Sequence, residues 1–530
     1  MRHERISLVQ TLPRLIIAAG VLVSSPLVHA ASCSDLTKLT LAHVTIDRAE
    51  PVAAGKLDLP VATGAPGRKA SFDLPAFCRV AATLKPTPAS DIKIEVWLPA
   101  TGWNRKFLAV GNGGWSGAIH FSSMAPGLER GYAVAGTDTG HTGSAMDGSF
   151  AYRQPEKLID FGWRAVHEMT VTAKAIIAAF YDDPLARSYW QGCSSGGKQG
   201  LKEAQRFPED FDGIVAGAPA TPWTRLTSAS LAAGLAALPQ GSPAYLTRET
   251  LQLVNDAVIA ACDANDGVKD GLIEDPRECR FDPEAFACAD SKRCPSRAQA
   301  EAIASIYAPL RAPGTNEYLF AGFSRGSELG WGLLTAGPKP LGIANDYFRF
   351  VVFANPSWDA QTFDMARDVT LADQIDANGA QLNASDPNLD AFRRRGGKLL
   401  MYHGWSDGLI PAQNSIDYFE SVLAREQGAS RAAALQRLRN DVRLFMVPGM
   451  DHCGGGRGAN EFDALSALER WVEQGEAPAM IQARGTIEGQ PLTRKLCPYP
   501  QVARYDGRGD PNRAESFACL PASPEGKGPG

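Results

Sequence analysis

The chain has 530 residues, 53 Lys plus Arg against 58 Asp plus Glu, and a formal charge of −5. That mildly acidic balance argues against nucleic acid and anionic membrane as partners, and the length allows a large core and more than one domain. All ten cysteines lie after Ala30, none at CxxC spacing, which suits disulfides in an exported protein better than zinc ligation.

Residues 1–30 read as a signal peptide. Arg2, Arg5 and Arg14 give a basic start, residues 15–28 are mostly apolar, and Val28-His29-Ala30 is a small-residue cleavage site. Ser24, Ser25 and Pro26 interrupt the apolar run, and Ala30-Ala31-Ser32 before Cys33 makes a poor lipobox. No later stretch reaches the roughly 20 apolar residues a membrane helix needs. The mature chain is therefore expected to be exported and soluble, periplasmic or extracellular. Cleavage removes three Arg and one Glu, taking the charge from −5 to −7.

Short apolar runs then alternate with helical patterns, as in a βαβ sheet. The spacing predicts strands at 92–98, 106–111, 132–137, 187–192, 212–219, 398–404 and 442–448, with helices at 160–179 and 461–472. Between residues 220 and 386 the rhythm breaks into alanine-rich helical stretches, four cysteines and Trp-bearing segments such as GWGLLTAG at 330–337. This reads as an inserted lid domain (220–386) in a catalytic domain made of 31–219 and 387–530. The tail 521–530 is expected to fray.

GCSSG at 192–196 fits G-x-S-x-G, with Ser194 at its centre, after a strand and before a helix. That is the context of a nucleophile elbow; a glycine-rich structural turn is the alternative. A serine needs a base, oriented in turn by an acid, and on this fold both follow it, acid first. Of six histidines after the signal, four precede Ser194; His403 lies within a strand pattern and reads as packed or as a support. His452, in a glycine-rich loop past the last strand, is the candidate base. Asp407, in HGWSDGLIP after the strand 398–404, is the candidate acid, with Asp451 as a weaker competitor. An oxyanion hole would join the Ser195 N–H to one from GNGGWSG (111–117), with Gly114 preferred and Gly113 the near alternative. Cys193 and Cys453 touch Ser194 and His452 in sequence. If bonded, their Cα atoms would lie roughly 5–6 Å apart and hold the two loops together.

Cys-Ser, Asp and His-Cys in this order resemble the tannase and feruloyl esterase family, secreted α/β-hydrolases that include the enzyme cleaving mono(2-hydroxyethyl) terephthalate. The resemblance spans most of the mature chain. It implies an α/β-hydrolase with a large inserted lid, a Cys193–Cys453 bridge, and Ser194, Asp407 and His452 as nucleophile, acid and base on a small aromatic ester. CDANDGVKDGLIEDP (262–276) gathers Asp263, Asp266 and Asp270 with glycines at 267 and 271. Alone it reads equally as a calcium loop or a solvated acidic turn, since its spacing departs from the EF-hand. The resemblance implies a structural Ca2+ site in the lid, with the carbonyls of Val268 and Leu272 added. Cys262 and Cys279 flank the loop and would brace it. The family pattern also pairs Cys33 with Cys78, Cys288 with Cys294, and Cys497 with Cys519. Trp331, Phe348, Arg349, Phe353 and Trp358 would line an aromatic pocket or form lid core. Feruloyl, galloyl and terephthaloyl esters all stay open, and a non-catalytic calcium-dependent binding protein on a hydrolase scaffold is the reading from another class.

Overall fold

All seven segments that read as strands pair into one sheet in the computed structural model, which describes residue 1 and residues 32–522 except 62–67, 289–292, 336–338, 427–429 and 488. Residues 2–31, which take in nearly all of the 1–30 stretch read as a signal peptide, and the end of the tail, 523–530, lie outside the described residues. Nine strands form the sheet: β1 (Val44–Val52), β2 (Phe77–Leu84), β3 (Ile92–Pro99), β4 (Lys106–Val110), β5 (Ala133–Thr137), β6 (Arg187–Cys193), β7 (Gly213–Gly217), β8 (Lys398–Gly404) and β9 (Val442–Val447). Their order is β1-β2-β3-β5-β4-β6-β7-β8-β9. The first three strands and β5 join antiparallel. From β5 to β9 every pairing is parallel.

The parallel strands are nearly continuous in apolar residues because helices cover both faces. One face packs Phe107, Trp190 and Ile214 against α2 (Ala165–Phe180) and α3 (Ser195–Arg206). The other packs Leu108, Val215 and Leu400 beneath α1 (Phe121–Glu129) and α6 (Ala464–Gln474). The sequence placed the helix before β6 at 160–179. The structure gives it an entry with π-type hydrogen bonds at Asp160–Arg164 before α2 proper. The segment read as 461–472 forms α6 slightly later.

Between β7 and β8 the chain leaves the sheet over 218–397. This segment begins with α4 (Trp223–Ala237) and α5 (Arg248–Cys262), and adds a two-stranded ribbon and shorter helices. It has a core of its own, in which Leu251, Val254, Ile303 and Trp331 are buried together. A second core joins it to the rest of the chain through Trp115, Phe161, Trp223 and Phe348. Two C-terminal hairpins follow α6: β10 (Ile481–Ile487) with β11 (Gln490–Leu496), and β12 (Gln501–Tyr505) with β13 (Phe517–Pro521).

All five disulfides pair as the resemblance implies: Cys33–Cys78, Cys193–Cys453, Cys262–Cys279, Cys288–Cys294 and Cys497–Cys519.

Candidate active site

Parallel strands that end in register create a crevice at their carboxyl edge, and loops leaving it converge there. Val110 pairs with Gln191, Cys193 with Gly217, and Gly404 with Val447. The loops carrying Gly114, Ser194, Asp407 and His452 all emerge from that edge.

Ser194 joins β6 to α3 with φ 62° and ψ −123°. A non-glycine residue held there costs about 1–3 kcal/mol, and its backbone is over-determined in compensation. Its N–H donates to the Gly217 carbonyl at 3.0 Å, and its own carbonyl accepts from Lys198 at 3.0 Å and Ala220 at 3.1 Å. The turn is so tight that a Cβ on Gly192 would meet the Gly196 carbonyl oxygen at 2.5 Å. This is the strained strand-to-helix backbone that a nucleophile elbow requires.

Asp407 is fully buried. Its Oδ1 accepts the N–H groups of Leu409 (2.8 Å) and Ile410 (2.9 Å). Its Oδ2 faces His452 Nδ1 at 2.7 Å and His403 Nε2 at 3.1 Å. Burial alone would raise this carboxyl. The His452 charge and the histidine hydrogen bonds outweigh that and hold it well below the usual carboxylate range. Burial likewise opposes protonation of His452, but the Asp407 charge and hydrogen bond raise its pKa above the ordinary histidine value. His403 acts as the support its strand position suggested: Nδ1 meets Ser415 Oγ at 2.7 Å while Nε2 reaches Asp407 and the Ile410 carbonyl. Asp451 makes no hydrogen bond to His452 among the described residues; burial raises its carboxyl, with the Asp407 charge adding.

Gly114 adopts φ 52°, and a Cβ there would strike the Ala145 carbonyl. Its peptide is fixed on both sides. The Gly113 carbonyl accepts from Ser116 N–H at 2.9 Å, and the Gly114 carbonyl accepts from Ser195 Oγ at 2.9 Å. The N–H groups of Gly114 and Ser195 donate to no acceptor among the described residues, so both are available beside Ser194. Sequence order set His141 aside as a base. Its Nε2 holds the Trp115 carbonyl at 2.7 Å and its ring stacks on Phe150 at 3.5 Å, which steadies this loop. Burial lowers its pKa to about 4, so it stays neutral.

Gly113, Gly114, Ser194, Ser195 and His452 line one cavity of about 630 Å³. Trp223, Leu226 and Ile343 of the 218–397 segment form one wall, and Ser123, Phe462 and Leu465 from the α1 and α6 regions form another. The aromatic candidates named from sequence are elsewhere. Trp331 and Phe348 are buried in core, Phe348 packs with Phe353 and Trp358, and Arg349 binds Asp346 Oδ1 and the Pro356 carbonyl. The wall residues carry no sequence signal separating them from ordinary core positions. Arg130 is the one lysine or arginine among the described residues lining the cavity. It is engaged by Asp463, Ser466 and Glu469.

The acidic loop is compact. Asp263 Oδ1 accepts the N–H groups of Asp270 and Gly271, both at 3.0 Å, and Asp266 Oδ1 accepts that of Val268 at 2.9 Å. Asp270 accepts from the Leu272 N–H at 3.1 Å and pairs with Arg494 of β11. Burial, with Asp270 and Asp263 adding repulsion, pushes Asp266 up to about 6. An all-oxygen donor set with crowded carboxylates has the chemistry that suits a hard cation, although Arg494 already offsets part of the charge. The loop's contacts reach beyond the inserted segment. Val268 packs with Ala503 and Phe517, Glu274 Oε1 accepts the Ala503 N–H at 2.9 Å, and Glu278 pairs with Arg504 at 2.8 Å. It fastens the insertion to the C-terminal hairpins.

A family model described as tannase and feruloyl esterase matches residues 78–520. An uncharacterized esterase of Xanthomonas campestris pv. campestris is 36% identical, over 98% of this chain and 96% of its own length. A probable feruloyl esterase B-2 of Aspergillus terreus is 34% identical, over 96% and 98%. The crystal structure of feruloyl esterase B from Aspergillus oryzae superposes with a TM-score of 0.85 at 30% identity, covering 92% of this chain and all (100%) of that one. Tannin acyl hydrolase from Aspergillus niger shares the fold, with a TM-score of 0.74 at 23% identity.

Proposed function

The chain belongs to the tannase and feruloyl esterase family, a carboxylic ester hydrolase family, and from that premise we propose that it is an exported serine esterase acting on uncharged aromatic acyl esters. The observation that carries the reading is the meeting of a strained Ser194 with the His452–Asp407 pair and two uncommitted N–H groups in one cavity.

In the proposed mechanism Ser194 Oγ attacks the ester carbonyl carbon while His452 Nε2 takes its proton. Asp407, on Nδ1, fixes the tautomer and stabilises the imidazolium. The carbonyl oxygen gains charge opposite the N–H groups of Gly114 and Ser195. Collapse breaks the bond to the alcohol oxygen, which leaves with the His452 proton and gives an acyl-Ser194. Water, deprotonated by His452, then attacks the acyl carbon and releases the acid. The 218–397 segment serves as the lid, covering the nucleophile with Trp223, Leu226 and Ile343.

The acyl class follows from charge. A terephthalate half-ester brings a carboxylate into the cavity, and the lining arginine is already paired there. Feruloyl and galloyl esters bring none. In a panel of methyl ferulate, methyl gallate and mono(2-hydroxyethyl) terephthalate, kcat/KM for the best methyl ester should exceed that for the terephthalate at least tenfold. A preference for the terephthalate overturns the acyl assignment; no turnover and no p-nitrophenol burst from a simple ester favours the binding-protein reading. The pH profile tests the base. His452 must be neutral to accept a proton, so kcat/KM should fall as pH drops through a midpoint above about 6.5, the ordinary histidine value. Asp407→Asn removes the charge that raises His452, so the midpoint should move down and kcat should drop by about 10⁴.

The mature chain is proposed to be exported. The five disulfides suit an oxidising compartment, and no helix among the described residues is long and apolar enough to cross a membrane. Ca2+ is proposed in the acidic loop, held by the carboxylates of Asp263, Asp266 and Asp270 and the carbonyls of Val268 and Leu272. Bound there, it would supply structural bracing and no catalytic step. Because the loop joins the insertion to the C-terminal hairpins, Ca2+ should protect that junction from proteolysis and raise Tm by mass action. Asp266→Asn should lose most of that response. Identical melting and digestion with and without chelator would remove the ion from the proposal.

A further inference from the structure

A second polar cluster lies near the opposite edge of the sheet. Glu203 sits on α3, His167 on α2, and Asp210 in the turn that leads into β7. Their donor atoms all lie within 4.8 Å of one another, the one such His/Cys/Asp/Glu group among the described residues. His167 Nδ1 is 2.7 Å from Asp210 Oδ2, and its ring stacks on Phe207 at 3.8 Å. Glu203 is 1% exposed, and neither of its carboxylate oxygens has a hydrogen-bond partner among the described residues. Two carboxylates are thus buried side by side, one without a donor. Lys174 does not resolve this, because its ammonium donates to the Asp210 backbone carbonyl at 2.5 Å and stays 4.0 Å from Oδ1. Burying an unpaired carboxylate is costly, so the pair needs a cation or a proton between its members.

We propose that His167, Glu203 and Asp210 bind one first-row divalent metal ion of the Zn2+ or Mn2+ class. An imidazole with two carboxylates is a mixed nitrogen and oxygen set that suits these ions better than Ca2+. Ligands at about 2.0–2.2 Å from a shared ion lie within about 4.4 Å of each other, so these donors close on one with small shifts. Asp210 Oδ2 exchanges its contact with His167 for the metal, the His167 Nδ1 proton leaves as the ring takes the tautomer protonated on Nε2, and any proton shared by the carboxyls is released to solvent. Water would complete the coordination from the exposed side of His167, whose side chain is 23% accessible. The ion would pin α3, the helix behind the elbow, to α2 and to the entry of β7, and its role is bracing.

The test uses the mature protein stripped with chelator and returned to excess Ca2+, so that the acidic loop does not compete. Calorimetric titration with Zn2+ should then show one equivalent bound and a rise in Tm, and Co2+ should give a visible absorption band. Glu203→Gln and His167→Gln should each weaken Zn2+ binding at least tenfold and lose the Co2+ band. Glu203→Gln removes one buried charge and should fold, with esterase turnover as its folding control; His167→Gln alters a partly exposed site. Zn2+ uptake by the wild type no greater than by both variants overturns the proposal and leaves a shared proton as the link between Glu203 and Asp210.

Discussion

Ser194→Ala is expected to cut kcat/KM for the preferred methyl ester by a factor of about 10⁴ or more while Tm changes by no more than a few degrees. The large effect follows because the variant has no atom to form the acyl bond, so His452 and the two N–H groups can act only on a water they do not position. The small effect follows because the Ser194 hydroxyl makes no hydrogen bond among the described residues, while its backbone bonds to Gly217, Lys198 and Ala220 are kept. A companion variant separates chemistry from fold. At φ 62° and ψ −123° a glycine is unstrained, so Ser194→Gly should be as inactive as the alanine form yet more stable by about 1 kcal/mol. Near-wild-type turnover in either variant would remove Ser194 as nucleophile. A gain in stability without activity is the signature of an elbow that holds strain for function.

The parallel half of the sheet was legible because strands buried on both faces leave unbroken apolar runs, such as Leu399 to Met401. Of the antiparallel strands β3 was read, but β1 and β2 at the outer edge were not. β1 reads VTIDRAEPV, with charges and a proline that mark a guarded edge strand but do not separate it from a loop. The C-terminal hairpins escaped for a related reason: β10 buries only alternate residues over a short span. At the site, Ser194, Asp407 and His452 were readable as candidates because each sits in the local context that such chemistry demands, and the fold brings their loops to one edge of the sheet. The cavity walls were not, since Trp223 and Leu465 face the same space only after the insertion and α6 fold over one edge. Of the two fates open to the aromatic residues of the insertion, core is the one taken, because large rings are the natural filling of its interior, where Trp331 packs edge-on against Tyr307 at 5.2 Å.

Replacing both Cys193 and Cys453 with serine should lower kcat/KM about 100-fold while leaving the sheet folded. The two Cα atoms lie 5.9 Å apart across 260 residues of chain, and each cysteine is bonded in sequence to a member of the proposed catalytic set. Cys193 ends β6, so the sheet itself holds its side of the bridge. Cys453 has φ 65° in a loop carrying positive φ again at Gly454, Gly455 and Gly456, a backbone with little stiffness of its own. Without the bridge, His452 remains tethered by Asp407, but the loop is free to shift relative to the elbow. A displacement of about 1 Å between nucleophile and base costs on the order of 100-fold in rate. The chain-entropy account gives a bridge closing so long a loop about 5 kcal/mol, so Tm should also fall. The other four bridges span 6 to 45 residues and stay in place. The loss should appear mainly in kcat, because the cavity walls that bind the acyl group do not depend on the bridge. Peptide mapping without reductant should recover residues 193 and 453 in one linked pair. Full activity in the double variant, or free thiols at both positions, would mean that Asp407 and the buried Met450 at the start of the loop set the histidine without help.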